Sequence, residues 1–280
     1  MRMYNLKDLE TKGYVVIPKF FSQDLIEKLV EHYKQEKERF LKTGGVNKNI
    51  PVINSRHFLL PELTPLMNEI SENTNISIDI ARRTCTYFDN TIYSWPWHVD
   101  HELYYLYQDT YNLVNCWAPI IKPCKTTGGL GLIPTDALIN RCPEIFKNQI
   151  LGRGAKWFKL ADHKTIMVND DIGGETALPF NIEDIAVYPE IDVGDMLLWR
   201  QDVIHKTDSR SDRVAVSVRC LNSNTVLTRE KFLSGSHKQR DIMHKNPSAY
   251  IAHHELFVGH NLEQITIGEL VKYQLSKARV

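Results

Sequence analysis

The chain has 280 residues, with 34 Lys and Arg balanced by 34 Asp and Glu. Its 42% hydrophobic content and mean hydropathy of -0.33 exclude a disordered chain, a collagen-like repeat and a membrane bundle. Zero net charge argues against a nucleic-acid binder working through bulk electrostatics. A chain this long can bury about 75% of its unfolded surface, so it needs no disulfide staples.

The five cysteines, Cys85, Cys116, Cys124, Cys142 and Cys220, are odd in number and contain no C-x-x-C pair. Four lie in or beside apolar runs, where a free thiol sits as a small hydrophobe. This points to a reducing compartment. The start of the chain has no apolar signal core, and no long uninterrupted apolar stretch follows. The expectation is a cytoplasmic protein with no membrane partner.

In chain order, Gly13 to Pro18 predicts a short buried strand ended by proline. Ser22 is placed as an N-cap, and Leu25, Ile26, Leu29, Val30, Tyr33, Phe40 and Leu41 follow at helical spacing. Gly44-Gly45 would end that helix. A second amphipathic helix is expected after Pro61, using Leu63, Leu66, Met67 and Ile70. Beyond residue 80, strand-like runs at 84–88, 113–118, 130–133, 196–199 and 214–220 are separated by Gly, Pro and Asn/Asp clusters. Residues 135–185, with Gly152, Gly154 and Gly173-Gly174, read as a mobile insert. A last helix is expected over 262–277. Helices followed by many short strands predict helices packed on a β-sandwich or barrel.

Trp95-Pro96-Trp97-His98-Val99-Asp100-His101-Glu102 is the most informative segment. On a strand, residues i and i+2 share a face, so His98 and Asp100 could both reach one cation. An imidazole and a carboxylate so placed are two corners of the facial triad of non-haem Fe(II) sites, whose third corner is a distant histidine. Alone, the pair also describes a surface histidine beside a turn carboxylate. The second segment supplies the rest: Gly194-Asp195 feeds a strand, His205 follows, and Thr207 and Arg213 come next. A guanidinium there can pair bidentately with the far carboxylate of a dicarboxylate cosubstrate, and Thr207 adds a hydroxyl donor.

The chain here resembles the phytanoyl-CoA hydroxylase-like (PhyH) branch of the Fe(II)/2-oxoglutarate-dependent dioxygenases. The blocks are Leu9 to Ile17 with Phe21 to Leu25, His98-Val99-Asp100, Trp117-Ala118-Pro119 through Gly128 to Pro134, and Gly194-Asp195 through His205, Thr207 and Arg213 to Ser217. The resemblance implies an α+β, β-rich fold with a double-stranded β-helix (jelly-roll, cupin-like) core over about 81–222. A helical part over about 1–80 and a helical or lid segment over about 223–280 would flank it in one domain. It implies His98, Asp100 and His205 as catalytic iron ligands, and Arg213 with Thr207 holding the 2-oxoglutarate 5-carboxylate. Where the family often has P-G-S-H after its Gly-rich turn, this chain has Pro134-Thr135-Asp136-Ala137. The stretch from His205 to Arg213 is short, so Arg210 and Arg219 stay as alternative anchors.

The implied activity is a dioxygenase using Fe(II), 2-oxoglutarate and O₂, with ascorbate admitted as reductant. It would hydroxylate an unactivated C–H of a small polar metabolite, such as an amino acid derivative or natural-product intermediate, releasing succinate and CO₂. The alternatives are a hydroxylase of acyl-CoA or a carrier-bound acid, and an inactive relative that only binds a small ligand. His101, Glu102, Arg82 and Arg83 stand near the motif as polar candidates. Trp95, Trp97, Trp117 and Trp199 are core formers first, with at most two expected to line a pocket; Tyr87, Tyr104 and Tyr105 share that ambiguity. His253-His254-Glu255 lacks metal-ligand spacing and is expected on an exposed face.

Overall fold

The computed structural model describes residues 5–42, 50–52, 55–82, 85–91, 94–98, 113–147, 155–159, 165–169, 175–233 and 251–277. The first elements are α1 (Lys7–Thr11), β1 (Tyr14–Ile17), α2 (Gln23–Lys42), β2 (Ile50–Val52) and α3 (Ser55–Asn73). Strands β3 (Ile80–Ala81), β4 (Cys85–Asp89), β5 (Leu113–Ile121) and β6 (Leu130–Leu132) follow, then α4 (Thr135–Arg141). Next come β7 (Ala155–Lys159), β8 (Thr165–Asn169), β9 (Glu175–Ala177), β10 (Met196–Arg200), β11 (His205–Thr207) and β12 (Val214–Leu221). The antiparallel pair β13 (Val226–Thr228) and β14 (Gln264–Thr266) precedes the final helix Ile267–Lys277.

Helices and antiparallel sheets are mixed. The main sheet has 7 strands in the order β1-β10-β5-β12-β4-β2, with β3 pairing β12. Alternation along its strands decides what each face meets. Val114, Cys116, Ala118, Val214, Val216 and Val218 point to one face and pack under Leu25, Ile26 and Leu29 of α2 and Leu63, Leu66 and Ile70 of α3. Trp117, Leu197, Trp199 and Ala215 point to the other and pack on Leu130 and Leu132 of β6. Since β6 pairs antiparallel with β11, a second small sheet lies across this inner face. A separate cluster around Leu227, Phe232, Phe257 and Leu270 closes over Leu113 and Leu221.

The start of α2 is capped as expected, with the Leu25 N–H donating to Ser22 Oγ at 3.3 Å. Gly194 sits at φ +85, and a Cβ there would lie 2.8 Å from Ile26 Cδ1; only glycine makes that turn without strain. Asp195 beside it accepts the backbone N–H groups of Lys19 and Asp192, both at 2.8 Å. The Gly-Asp pair is therefore a turn that docks β10 against the first helices. At the far end of β10, Arg200 is 1% exposed and forms a bidentate pair with Asp202, at 3.0 and 2.9 Å. It also donates to Leu9 O and Thr135 Oγ1, fixing α1 and α4 to the strand that leads to His205.

Four expectations change. The helix expected after Pro61 begins at Ser55 and carries Pro61 and Pro65 inside it. Leu59 joins Leu63, Leu66, Met67 and Ile70 as a buried stripe, so packing outweighs the helix-breaking cost. The 135–185 stretch, read as an insert, contains α4, a 3-stranded sheet of β8-β7-β9 and a 3-10 turn at Ile182–Ile185. His253 is 2% exposed rather than surface-facing, and its ring stacks on Phe232 at 5.9 Å. The last helix starts at Ile267, because residues 264–266 are spent on β14. No helix among the described residues is long and apolar enough to cross a membrane.

Candidate metal and cosubstrate site

Segment Trp95 to His98 runs antiparallel beside β11. The His98 N–H donates to His205 O at 2.8 Å, and the His205 N–H donates to His98 O at 2.8 Å. The Thr207 N–H donates to Trp95 O at 2.9 Å, and Thr207 Oγ1 accepts the Trp95 N–H at 3.0 Å. Directly opposed residues put their side chains on one face. The rings of His98 and His205 accordingly lie 4.2 Å apart, centroid to centroid, and are tilted by 49°.

Each ring is oriented by its own backbone. His98 Nδ1 lies 2.7 Å from Pro96 O, and His205 Nδ1 lies 2.9 Å from Val203 O. A carbonyl can only accept, so Nδ1 of each ring carries a proton, which leaves Nε2 as the nitrogen that a neutral ring would offer to a metal. Carbonyl-anchored imidazoles of this tautomer are how proteins present histidine to a metal. Trp199 packs 5.1 Å from the His205 ring and Trp95 5.6 Å from the His98 ring. Asp100, with Arg83, His101, Glu102, Tyr104 and Tyr105, lies outside the described residues. Among the described residues, no group of three or more His, Cys, Asp or Glu side chains converges.

Arg213 stands just before β12 and is 4% exposed. Its N–H donates to Asn90 Oδ1 at 2.7 Å, and one guanidinium NH donates to Phe88 O at 2.8 Å. The guanidinium lies 5.1 Å from the Trp117 ring, while its Nε has no hydrogen-bond partner. Burial pulls the group down to about 10, partly opposed by Asp89 and Asp208, so it stays charged at neutral pH. A buried cation that forms no ion pair among the described residues, with a donor left over, calls for an anion.

Arg210 is already committed. It forms a bidentate pair with Asp208, both contacts at 2.8 Å, and also donates to Thr126 O. Burial alone would raise Asp208, but its bonds from Arg210 and the Gly128 N–H hold it below the ordinary carboxylate range. Gly128 has φ +70, and a Cβ there would meet Ser211 Oγ at 2.6 Å and Ser211 O at 3.0 Å. The Gly-rich turn thus presses on the loop that aims Arg213. Arg219, six residues on, faces the same side and donates to Asn115 Oδ1 at 3.1 Å.

One apolar floor joins the histidine end to the arginine end. Leu197 is the direct partner of Trp117, so Trp199 is diagonal to Trp117, roughly 7–8 Å away by sheet geometry. Three tryptophans, Trp95, Trp117 and Trp199, border these residues, one more than the sequence suggested. Trp97 instead joins a clamp that sequence reasoning missed. Glu183 accepts from Trp97 Nε1 at 3.0 Å, Tyr188 OH at 2.9 Å and Lys206 Nζ at 2.5 Å. Trp97 adjoins His98 and Lys206 adjoins His205, so the clamp ties both histidine segments together from outside. Tyr87 lies in the outer core beside Tyr33, at 5.5 Å between rings.

No protein-family model matches the sequence, and no curated protein sequence matches it. Solved structures do. The non-heme monooxygenase ThoJ, in its apo form, superposes with a TM-score of 0.52 at 12% identity, covering 78% of this chain and 77% of that one. The epimerase SnoN, in complex with Fe3+, alpha ketoglutarate and nogalamycin RO, superposes with a TM-score of 0.50 at 13% identity, covering 79% of this chain and 84% of that one. The chain shares the fold of these non-haem enzymes. At such identities the likeness is one of fold, and the chemistry has to be argued from the side chains.

Proposed function

We propose that this protein is a non-haem Fe(II)- and 2-oxoglutarate-dependent oxygenase of the PhyH type, with a double-stranded β-helix core. In this reading the described elements and the segments between them form one domain. The observation that carries it is the pairing of His98 and His205 as Nδ1-anchored imidazoles, with a buried Arg213 across the same apolar floor. This donor set fits iron and a dicarboxylate: two imidazoles anchored through Nδ1 at one end and, at the other, a buried guanidinium that forms no ion pair among the described residues. SnoN, of the same fold, was solved with Fe3+ and alpha ketoglutarate.

His98, His205 and Asp100 would hold the metal. When bound, iron and 2-oxoglutarate supply an oxidation in which O₂ delivers one oxygen atom to succinate and one to the substrate, with release of CO₂. The chain's own residues do the positioning. Arg213 takes the 5-carboxylate, Thr207 fixes the His98 segment through Trp95, and Trp117 and Trp199 keep water from the floor. A carboxylate at position 100, rather than a small residue, favours hydroxylation over halogenation. The substrate is a small polar metabolite, and five free thiols support a reducing, cytoplasmic setting.

The reading is tested by succinate formation from 2-oxoglutarate under air. Formation that requires Fe(II) and is lost in His98→Ala and Asp100→Ala supports it. Succinate release that survives both substitutions overturns it.

A further inference from the structure

We propose that Glu183 is a positioning residue for the metal site: its carboxylate keeps closed the strand pair that sets the spacing of His98 and His205. The proposal deepens the oxygenase reading and rests on it for the identity of the metal ligands. His98 bridges to His205, His205 is the direct partner of Leu132, and Leu132 bridges to Val187. These four stand in one row, and Leu132 packs on the inner face with Trp199. One step along, the same antiparallel register sets Trp97, Lys206, Gly131 and Tyr188 in the next row, whose side chains point outward. Glu183 reaches this outer row from the 3-10 turn Ile182–Ile185, where its N–H donates to Asn181 Oδ1 at 3.1 Å.

The outer row converges on one carboxylate. Glu183 Oε1 accepts from Trp97 Nε1 at 3.0 Å and from Lys206 Nζ at 2.5 Å, so a single oxygen bridges the chain neighbours of both histidines. Glu183 Oε2 accepts from Tyr188 OH at 2.9 Å, which adds the segment beyond Leu132. Lys206 Nζ also lies 4.6 Å from the centre of the Trp97 ring and 5.3 Å from that of Tyr188. A Cβ at Gly131 would lie 2.9 Å from Tyr188 Cε1 and 3.2 Å from both Trp97 Cη2 and Lys206 Cγ. The row closes there because the residue has no side chain. An exposed ion pair by itself holds little, but this carboxylate also accepts from the indole of Trp97, which is buried. Strand β11 has three residues, so its ladder to the His98 segment is short. A group that grips the outward neighbours of both histidines opposes its opening. Ligand geometry has to hold to within about 0.5 Å, so a loosened pair would cost metal affinity before it cost the fold.

The test uses the full-length protein and Co(II), a visibly absorbing stand-in for Fe(II). Glu183→Ala is expected to weaken Co(II) about 10- to 100-fold, the cost of losing an outer partner of a metal ligand, and to shift the Co(II) band at saturation. Glu183→Gln keeps an oxygen that can accept from both Trp97 and Lys206, so it should restore the band and most of the affinity. Lys206→Met and Trp97→Phe should each weaken Co(II) alone, yet add nothing in the Glu183→Ala background. In the metal-free protein, NMR should show amide exchange at His98 and His205 at least about tenfold faster in Glu183→Ala, with exchange in β5 and β12 unchanged. Parent-like Co(II) affinity in Glu183→Ala, additive losses in the double variants, or faster exchange shared by β5 and β12 would overturn the proposal. A parent protein that takes up no Co(II) would sink the oxygenase reading instead, and the metal-free exchange would then decide by itself whether Glu183 holds the strand pair.

Discussion

His98 and His205 exchange both backbone hydrogen bonds at 2.8 Å and hold their rings 4.2 Å apart. The backbone, more than side-chain packing, sets their separation. Substituting either ring should therefore leave the strand pairing and the fold in place. His98→Ala and His205→Ala are expected to weaken Fe(II) by more than about 100-fold, beyond what loss of an outer partner costs. Circular dichroism should stay unchanged. Isothermal titration under anaerobic conditions measures the first effect, and near-native affinity in both variants would refute the assignment.

Arg213 is a buried charge that forms no ion pair among the described residues, with Asp89 and Asp208 offsetting its burial only in part, so a bound anion should relieve the cost of burying it. Arg213→Met should be at least as stable as the parent in urea, with a gain of about 1 kcal/mol or more. In the parent, 2-oxoglutarate at one hundred times its Kd should add about 2.7 kcal/mol; in the variant that gain should vanish. A variant that is destabilised yet still stabilised by 2-oxoglutarate would contradict this role.

The β4 end that receives Arg213 is itself braced by Asp89. Its carboxylate accepts from Tyr33 OH at 2.5 Å and from Lys37 Nζ at 2.8 Å. Burial would raise Asp89, but Lys37, Thr91 and Tyr33 hold it below its usual 3.8. Burial, and then the bond to Asp89, pushes Tyr33 up to about 12. A depressed carboxyl contributes stability above its unfolded value and loses it as pH falls through the lower folded value. A raised phenol contributes below its unfolded value of 10.0 and loses it as pH rises towards about 12. Stability should thus fall below about pH 4 and again above about pH 10. Tyr33→Phe should flatten the alkaline limb. Asp89→Asn should cost about 2 kcal/mol at neutral pH and flatten the acid limb, as read by urea unfolding across pH.

Gly128→Ala forces a side chain into a positive-φ turn against Ser211. It should cost about 2 kcal/mol and raise the apparent KM for 2-oxoglutarate, because the displaced loop carries Arg213. A stability loss without any change in KM would show that the turn does not aim the arginine.

Much of the candidate site was legible in the sequence because its signals are local. The alternation in β5, β10 and β12 marks buried strands, and His98, His205 and Arg213 stand beside them in chain order. What was not legible depends on tertiary contact. Strand β11 has only three residues, with Lys206 between His205 and Thr207, too short for a period-2 pattern to register. The Glu183 clamp joins residues far apart in sequence, and its members read singly as surface polar groups. Arg210 and Arg213 look alike in a sequence; only the Asp208 pair separates them. His253 was misread because a His-His-Glu run is polar in composition, whereas one of its members turns under Phe232. The helix over Pro61 was placed too late because proline was given more weight than the buried stripe beginning at Leu59.

The central claim is that His98, His205 and Asp100 share one ferrous ion while Arg213 fixes the cosubstrate. Anaerobic titration of Fe(II) into the 2-oxoglutarate-loaded protein, followed by visible absorption, tests it most directly. The account predicts uptake of one equivalent of iron with a charge-transfer band that needs 2-oxoglutarate, is absent in Asp100→Ala and demands far more cosubstrate in Arg213→Met. Absence of iron uptake by the parent protein, or a band indifferent to both substitutions, would contradict it.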